Sequence, residues 1–118
     1  MITKDYIRTL THTTTYKKGI ELYLDNAVQN FDVDEDEFYD DIYAKVKGSG
    51  RKSYWVNMAI DVEEDCLEDC ECECPAFDNY DGLCKHCVAV LLEYISYCEQ
   101  QNIISEYNSK QQESLKKL

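Results

Sequence analysis

Two stretches of alternating apolar and polar residues lie in the middle of the chain. Ile42, Ala44 and Val46 alternate with polar residues, and a second alternation runs over residues 54–62. Alternation of this kind places one face of a strand against a core and the other in solvent. Because the glycine-containing break GSGR (residues 48–51) separates the two runs, the pattern predicts a β-hairpin with a long second arm.

The N-terminal part carries the spacing of a helix instead. Apolar residues recur there at i, i+4, i+7 and i+8, which predicts an amphipathic helix. We expect residues 4–25 to be helical with one interruption, and Thr13, Thr14 or Thr15 to cap the second part. The residues that follow, 28–33, are predicted to form a short strand. The apolar stripe consists of Tyr16, Ile20, Tyr23 and Leu24.

A second amphipathic pattern predicts a C-terminal helix over residues 84–99. The residues after it are polar, so residues 101–118 are predicted to form a tail or a helical linker to a further domain, and residues 1–100 the folded domain. The expected fold class is α+β, with an N-terminal helix, a small antiparallel sheet and a C-terminal amphipathic helix. The stripe of the last helix consists of Val88, Leu91, Leu92 and Ile95.

The length and composition are those of one folded domain. The chain has 118 residues, of which 44 % are hydrophobic and 12 % aromatic, and a chain of this length can bury a modest core. The apolar run at residues 88–92 is far shorter than the ~20 residues that span a membrane. The first ten residues lack a secretory apolar segment. We therefore expect a cytoplasmic protein without a membrane partner.

The charge is strongly acidic and is concentrated in two runs. The formal net charge is -12; residues 31–41 carry seven acids, residues 61–73 carry eight, and neither run contains a base. A surface of this kind repels phosphate backbones, since nucleic-acid affinity depends heavily on Lys and Arg. Each run is consistent with a solvated loop or strand edge, and also with a surface for a basic partner.

The segment CECPAFDNYDGLCKHC holds the residues that favour a soft metal ion. Cys72, Cys74, Cys84 and His86 form the pattern C-x-C-x9-C-x-H. Structural zinc takes four ligands from thiolates and imidazoles in a tetrahedron, and two short ligand pairs separated by a loop suit that geometry. Pro75 is suited to ending the strand and bending the chain, so that both nearby sulfurs reach one ion.

The second ligand pair lies where the last helix is predicted to begin, with Asp81 as a candidate N-cap. Unpaired N–H groups at a helix start can hydrogen-bond to a thiolate and lower the pKa of Cys84. Zinc binding in small sites has an apparent free energy of ~10–16 kcal/mol, which exceeds the closure entropy of the intervening loop. We therefore expect Zn2+ to be a condition of the domain's stability.

The ligand register has alternatives. The pair Cys70 and Cys72 could replace Cys72 and Cys74, and Cys87 could replace His86. The bend at Pro75 favours the pair Cys72 and Cys74. Cys87, in the first turn of the predicted helix, is expected to face the core, which favours the imidazole of His86 as the fourth ligand.

Other uses of the cysteines are less consistent with their positions. The number of cysteines, seven, is odd, and the close spacing of four of them suits disulfides poorly: Cys66, Cys70, Cys72 and Cys74. Cys84 and His86 could form a nucleophile and base, and Cys84 with Cys87 a redox dithiol, but four good metal ligands leave no open position for catalysis. We expect no enzymatic activity of this chain alone and no small-molecule substrate. Cys66 and Cys98 are expected to act as small apolar side chains.

The cysteine-rich segment and the helix after it resemble the SWIM-type zinc finger. The likeness includes the C-x-C…C-x-H motif, Pro75 after the second cysteine, Gly82 before the third, and the run CKHCVAVLL. The upstream segment AKVKGSGRKSYWV is similar to the extension that often precedes this finger. The resemblance covers about residues 12–98. Further upstream it includes Tyr16, Gly19, Tyr23 and Val28.

The resemblance implies Zn2+ bound by Cys72, Cys74, Cys84 and His86, and an interaction module for protein or DNA. Such modules are found at the N-termini of bacterial SWI/SNF-type helicase-like ATPases, to which this sequence is most similar. No ATPase motif is present in the chain, so we expect any such domain beyond Leu118, and a protein or the attached ATPase domain as the partner.

Two alternative functions remain at this point. A DNA-binding finger would use the basic residues at the tip of the predicted hairpin, with an aromatic residue beside them. A thiol redox switch would form reversible disulfides without a metal. The candidate nucleic-acid contacts are Lys45, Lys47, Arg51 and Lys52.

Overall fold

The computed structural model describes residues 1–48, 50–75 and 82–116, with side chains described as far as residue 108 in the last helix. The architecture is α+β, as the sequence predicts. Within the described ranges, no helix is long and apolar enough to cross a membrane. The elements in chain order are α1 (Lys4–Thr9), α2 (Thr13–Leu24), β1 (Val28–Glu35), β2 (Tyr39–Lys47), β3 (Ser53–Asp61), β4 (Cys66–Cys72) and α3 (Lys85–Lys116).

The four strands form an antiparallel meander in the order β1-β2-β3-β4. The predicted hairpin is confirmed: β2 and β3 pair without a register shift from Tyr39 opposite Asp61 to Lys47 opposite Ser53. Because side chains alternate along each strand, the buried aliphatic positions of the hairpin all point to one face of the sheet. The buried residues of that inner face in the hairpin are Ile42, Ala44, Val46, Val56, Met58 and Ile60.

The helix α3 covers the inner face of the sheet, and α2 packs against α3. Gly19 of α2 is buried at this crossing, where a β-carbon would lie 2.3 Å from Cγ1 of Val88. No L side chain fits at that distance, so the absence of a side chain at residue 19 lets the two helices approach closely. The helix pair and the sheet together enclose one core.

The first acidic run of the chain forms strand edges and a turn. Asp36 accepts hydrogen bonds from the backbone N–H groups of Tyr39 (2.7 Å) and Phe38 (2.8 Å), which lower the pKa of its carboxyl group. Asp40 accepts a 2.6 Å hydrogen bond from the Tyr94 hydroxyl of α3, while burial raises the pKa of this carboxyl group. The acidic run therefore includes both solvated residues and residues that connect the sheet to α3.

The structure differs from the sequence prediction at the helix ends. The N-cap of α2 is His12, without a side-chain hydrogen bond, and not one of the three threonines; Thr15 is instead buried in the helix. The helix α3 continues to Lys116 and does not end near residue 99, because the polar residues that follow contain no Gly or Pro and include many good helix formers. The predicted N-cap Asp81 lies outside the described residues.

Candidate metal centre

The ligand cluster lies where the chain leaves β4 and enters α3. The ligand atoms of Cys72, Cys74, Cys84 and His86 all lie within 4.8 Å of one another. Nδ1 of His86 is 3.8 Å from Sγ of Cys72 and 3.9 Å from Sγ of Cys84. Ligands on a tetrahedral zinc ion, at bond lengths of about 2.0–2.3 Å, stand about 3.5–3.8 Å apart. The cluster is thus placed to bind one metal ion with little rearrangement.

The imidazole of His86 is oriented for a role as a ligand. Its Nδ1 atom faces the sulfurs, whereas Nε2 is buried and has no hydrogen-bond partner among the described residues. In a neutral imidazole one nitrogen carries the proton and the other offers a lone pair. A metal bound at Nδ1 would leave the proton on Nε2. The ring also packs on Tyr54 at a centroid separation of 5.0 Å, which limits its rotation.

The surroundings of Cys84 favour its ionised form. Hydrogen bonds between its sulfur and those of Cys72 and Cys87 hold the pKa of the Cys84 thiol far below its ordinary value, against the effect of burial. The backbone N–H of Cys87, in the first turn of α3, acts in the same direction, as expected of a helix start. Three thiolates and a neutral imidazole around Zn2+ would carry a net charge of about -1.

The N-terminal helices position the residues just before Cys84. The backbone N–H of Leu83 donates to the carbonyl of Leu10 at 2.9 Å, and the hydroxyl of Thr11 donates to the carbonyl of Leu83 at 2.7 Å. Gly82 has a φ of +121°, and a β-carbon there would lie 2.8 Å from the Leu10 carbonyl oxygen. The connection between α1 and α2 therefore fixes the entry into the second ligand pair.

Two further thiols lie beside the cluster without belonging to it. Sγ of Cys70 is 3.0 Å from Sγ of Cys87, and the latter is 3.5 Å from Sγ of Cys84. Cys87 is fully buried, as its predicted core position requires. The four-residue cluster contains Cys74 and His86, and neither of the alternative ligands Cys70 and Cys87. Cys87 is therefore a hydrogen-bonding neighbour of the cluster, and Cys70 contacts Cys87 in turn.

The predicted basic residues lie at and near the tip of the β2–β3 hairpin. Lys47, Arg51 and Lys52 are exposed. Lys45 is half-buried, because its Nζ atom lies over the ring of Trp55 at 5.4 Å from the centroid. The tip thus presents three cations to solvent, and Lys45 is engaged on the face of the sheet.

The comparison with protein families agrees with this geometry. The family model of the SWIM zinc finger matches residues 54–95, from β3 through the first turns of α3. This range contains the whole Cys72, Cys74, Cys84 and His86 cluster. Searches of curated proteins and of solved structures found no match. Residues 54–95 are therefore similar to a SWIM zinc finger, and the cluster within them is placed to bind a metal ion in a way consistent with Zn2+.

Proposed function

We propose that the chain is a zinc-stabilised interaction module in which the ion is structural and the sheet presents a surface to a protein partner. The observation that carries this proposal is the complete four-ligand set at the junction of β4 and α3. Catalytic zinc keeps a coordination position open, whereas three cysteines and a histidine fill a tetrahedron. An ion enclosed in this way holds together two elements that are adjacent in space and separated in sequence.

Elemental analysis and chelation of the purified chain test the structural role of zinc. We expect one zinc ion per chain, and we expect a strong zinc chelator to collapse the dispersion of the amide NMR spectrum. A calcium-selective chelator serves as the control and should leave the spectrum unchanged. A chain that is free of metal and still gives a well-dispersed spectrum would contradict the proposal.

The module is further proposed to be the N-terminal part of a SWI/SNF-type helicase-like ATPase. The resemblance in the sequence supports this, and so does the shape of α3. The helix runs to Lys116, its residues 99–108 are exposed, and the molecule measures 60 × 30 × 24 Å. The exposed apolar side chains Ile103 and Ile104 on this projecting part suit contact with a neighbouring domain. A reading frame that continues into an unrelated domain would contradict this assignment.

Direct DNA binding by the hairpin tip is the second candidate function, since three exposed cations lie together there. If the tip contacts phosphates, duplex DNA should bind at about 50 mM salt and be released as salt rises. The triple variant Lys47→Ala/Arg51→Ala/Lys52→Ala should then reduce the slope of log K against log salt by about 2–3. The measurement is fluorescence anisotropy of a labelled duplex across a salt series.

The matched control for the tip variant removes three cations elsewhere. Lys4, Lys17 and Lys18 are exposed on α1 and α2 and do not belong to the hairpin. Their triple alanine variant has the same net charge as the tip variant. Equal losses of DNA affinity in both variants would mean that binding depends on the net charge of the chain and not on the hairpin tip. Absence of binding by the unmodified chain at low salt would exclude the tip as a DNA interface.

A further inference from the structure

The outer face of the sheet carries a groove along β3 that faces solvent. Asn57 and Ala59 are small residues on this face, and larger side chains stand on both sides of them. Asn57 is flanked by Tyr43 of β2 on one side and by Glu71 of β4 on the other. Trp55 closes one end of the groove. Tyr43 and Trp55 are 43 % and 46 % exposed, so both aromatic rings are accessible to a partner.

Two hollows lie side by side in this groove. The first, of about 190 Å³, lies between Tyr43 and Asn57. The second, of about 200 Å³, lies between Trp55 and Asn57. Glu71 lines both hollows. Each hollow therefore combines one aromatic wall with at least one carboxylate.

The charge of the groove is strongly negative. In addition to Glu71, the first hollow is lined by Asp41 and Asp69, and the second by Glu73. Carboxylates repel phosphate groups and anionic headgroups, so neither a nucleic acid nor an anionic membrane suits this surface. A cation between an aromatic ring and carboxylates gains both cation–π and Coulomb attraction.

The groove itself contains an example of the cation–π contact. The Nζ atom of Lys45 lies 5.4 Å from the centroid of the Trp55 ring. This ammonium group comes from the neighbouring strand, opposite Trp55 in the register. The ring of Trp55 is thus already a cation-binding surface, and its remaining exposed area borders the second hollow.

We propose that this groove binds an extended segment of a partner protein that carries two basic side chains two residues apart. In an extended chain, side chains on the same face repeat every ~6.6–7 Å. Diagonal neighbours on an antiparallel sheet, such as Tyr43 and Trp55, stand ~7–8 Å apart. One Lys or Arg therefore fits beside each ring. The inference rests on the proposed role as a protein-interaction module, and it names the chemistry of the partner.

The test uses the zinc-loaded chain and capped octapeptides. One peptide carries lysines at two positions two residues apart, and its control carries glutamines there. Trp55 is the only tryptophan of the chain, so its fluorescence reports on the groove directly. We expect the lysine peptide to change that fluorescence with a Kd of about 0.1–1 mM, since exposed cation–π and ion pairs are individually weak. The glutamine peptide should bind at least about tenfold more weakly.

Variants locate the binding site. Asp41→Asn/Glu71→Gln removes two groove charges and should weaken binding of the lysine peptide about fivefold or more, and Tyr43→Leu should weaken it while Trp55 stays as the reporter. The control Glu63→Gln/Glu64→Gln removes two exposed charges in the turn after β3 and should bind as the unmodified chain does. Equal weakening in both double variants would overturn the proposal, as would a fluorescence response to duplex DNA or to anionic vesicles in place of the peptide.

The same samples separate the failure of this inference from that of the proposed function. Zinc content and amide NMR dispersion are measured on each preparation before titration. A zinc-loaded, folded chain that does not respond to the lysine peptide overturns the groove alone. A folded chain without zinc overturns the proposed role of the metal, whatever the peptide does.

Discussion

Replacing Cys84 by serine is expected to abolish zinc binding and the cooperative unfolding of the chain. Apparent binding free energies of structural zinc are about 10–16 kcal/mol, whereas whole domains are stable by about 5–15 kcal/mol. Cys84 sits directly before α3, contacts the other ligands, and is almost fully buried. Without it the end of β4 and the start of α3 lose their common ion. Elemental analysis, near-UV circular dichroism and a thermal melt measure the effect.

Cys98→Ser is the matched control, because Cys98 is a half-buried cysteine of α3 that does not belong to the ligand cluster. It should retain one zinc ion and a sharp melt, with a loss of about 1 kcal/mol for a polar substitution at a half-buried site. A Cys84→Ser chain with full zinc content and an unchanged melting temperature would show that the metal is bound elsewhere or is not needed for folding.

Measuring zinc content in two further variants tests which cysteines are ligands. Cys74→Ser should lose zinc, since Cys74 belongs to the cluster, and Cys87→Ser should retain it, since Cys87 lies beside the cluster. The Cys87 variant should nevertheless melt at a lower temperature, because its side chain is fully buried in the core. Zinc loss in the Cys87 variant with retention in the Cys74 variant would reverse the assignment of these two ligands.

The sequence predicts the sheet and the ligand cluster well because both depend on local spacing. Alternation places Val56 and Met58 on one face and Asn57 on the other, whatever the rest of the chain does. Similarly, the C-x-C and C-x-H spacings bring two ligands together within a few residues on each side of a loop. The pairing of the hairpin follows from its short connection, since a tight turn fixes the strand register.

The features that the sequence does not predict depend on contacts between distant residues. The hydrogen bonds that join Leu10 and Thr11 to Leu83 span more than seventy positions, and no periodicity signals them. The groove also depends on contacts between distant residues, because Tyr43 and Glu71 flank Asn57 only when three strands pair in one particular register. The predicted end of α3 near residue 99 is too early for a different reason: the apolar stripe that marks a packed helix stops before the helix does, and beyond it the pattern favours a helical linker no more than a tail.

The close crossing of α2 and α3 leads to the second large effect. Gly19→Ala is expected to lower the free energy of unfolding by about 2 kcal/mol, because overpacking costs about 1–3 kcal/mol and the better helix propensity of alanine returns at most about 1 kcal/mol. The new methyl carbon would lie 2.3 Å from Cγ1 and 2.6 Å from Cβ of Val88, so one helix must shift. Denaturant unfolding at a fixed concentration of free zinc measures the loss, since ligand concentration changes apparent stability.

A double-mutant cycle separates this collision from other effects of the substitution. Val88→Ala removes the nearer of the two carbons, at 2.3 Å, and keeps Cβ, at 2.6 Å. Gly19→Ala should therefore cost less in that background without becoming neutral, with a coupling of about 0.5–1 kcal/mol. Gly50→Ala is the matched control: its β-carbon would meet no atom within 4 Å, and its φ of +79° costs about 1 kcal/mol of backbone strain that Val88→Ala cannot relieve. If Gly19→Ala were as harmful in the Val88→Ala background as in the unmodified chain, the close contact between the two helices would not be what requires glycine at this position.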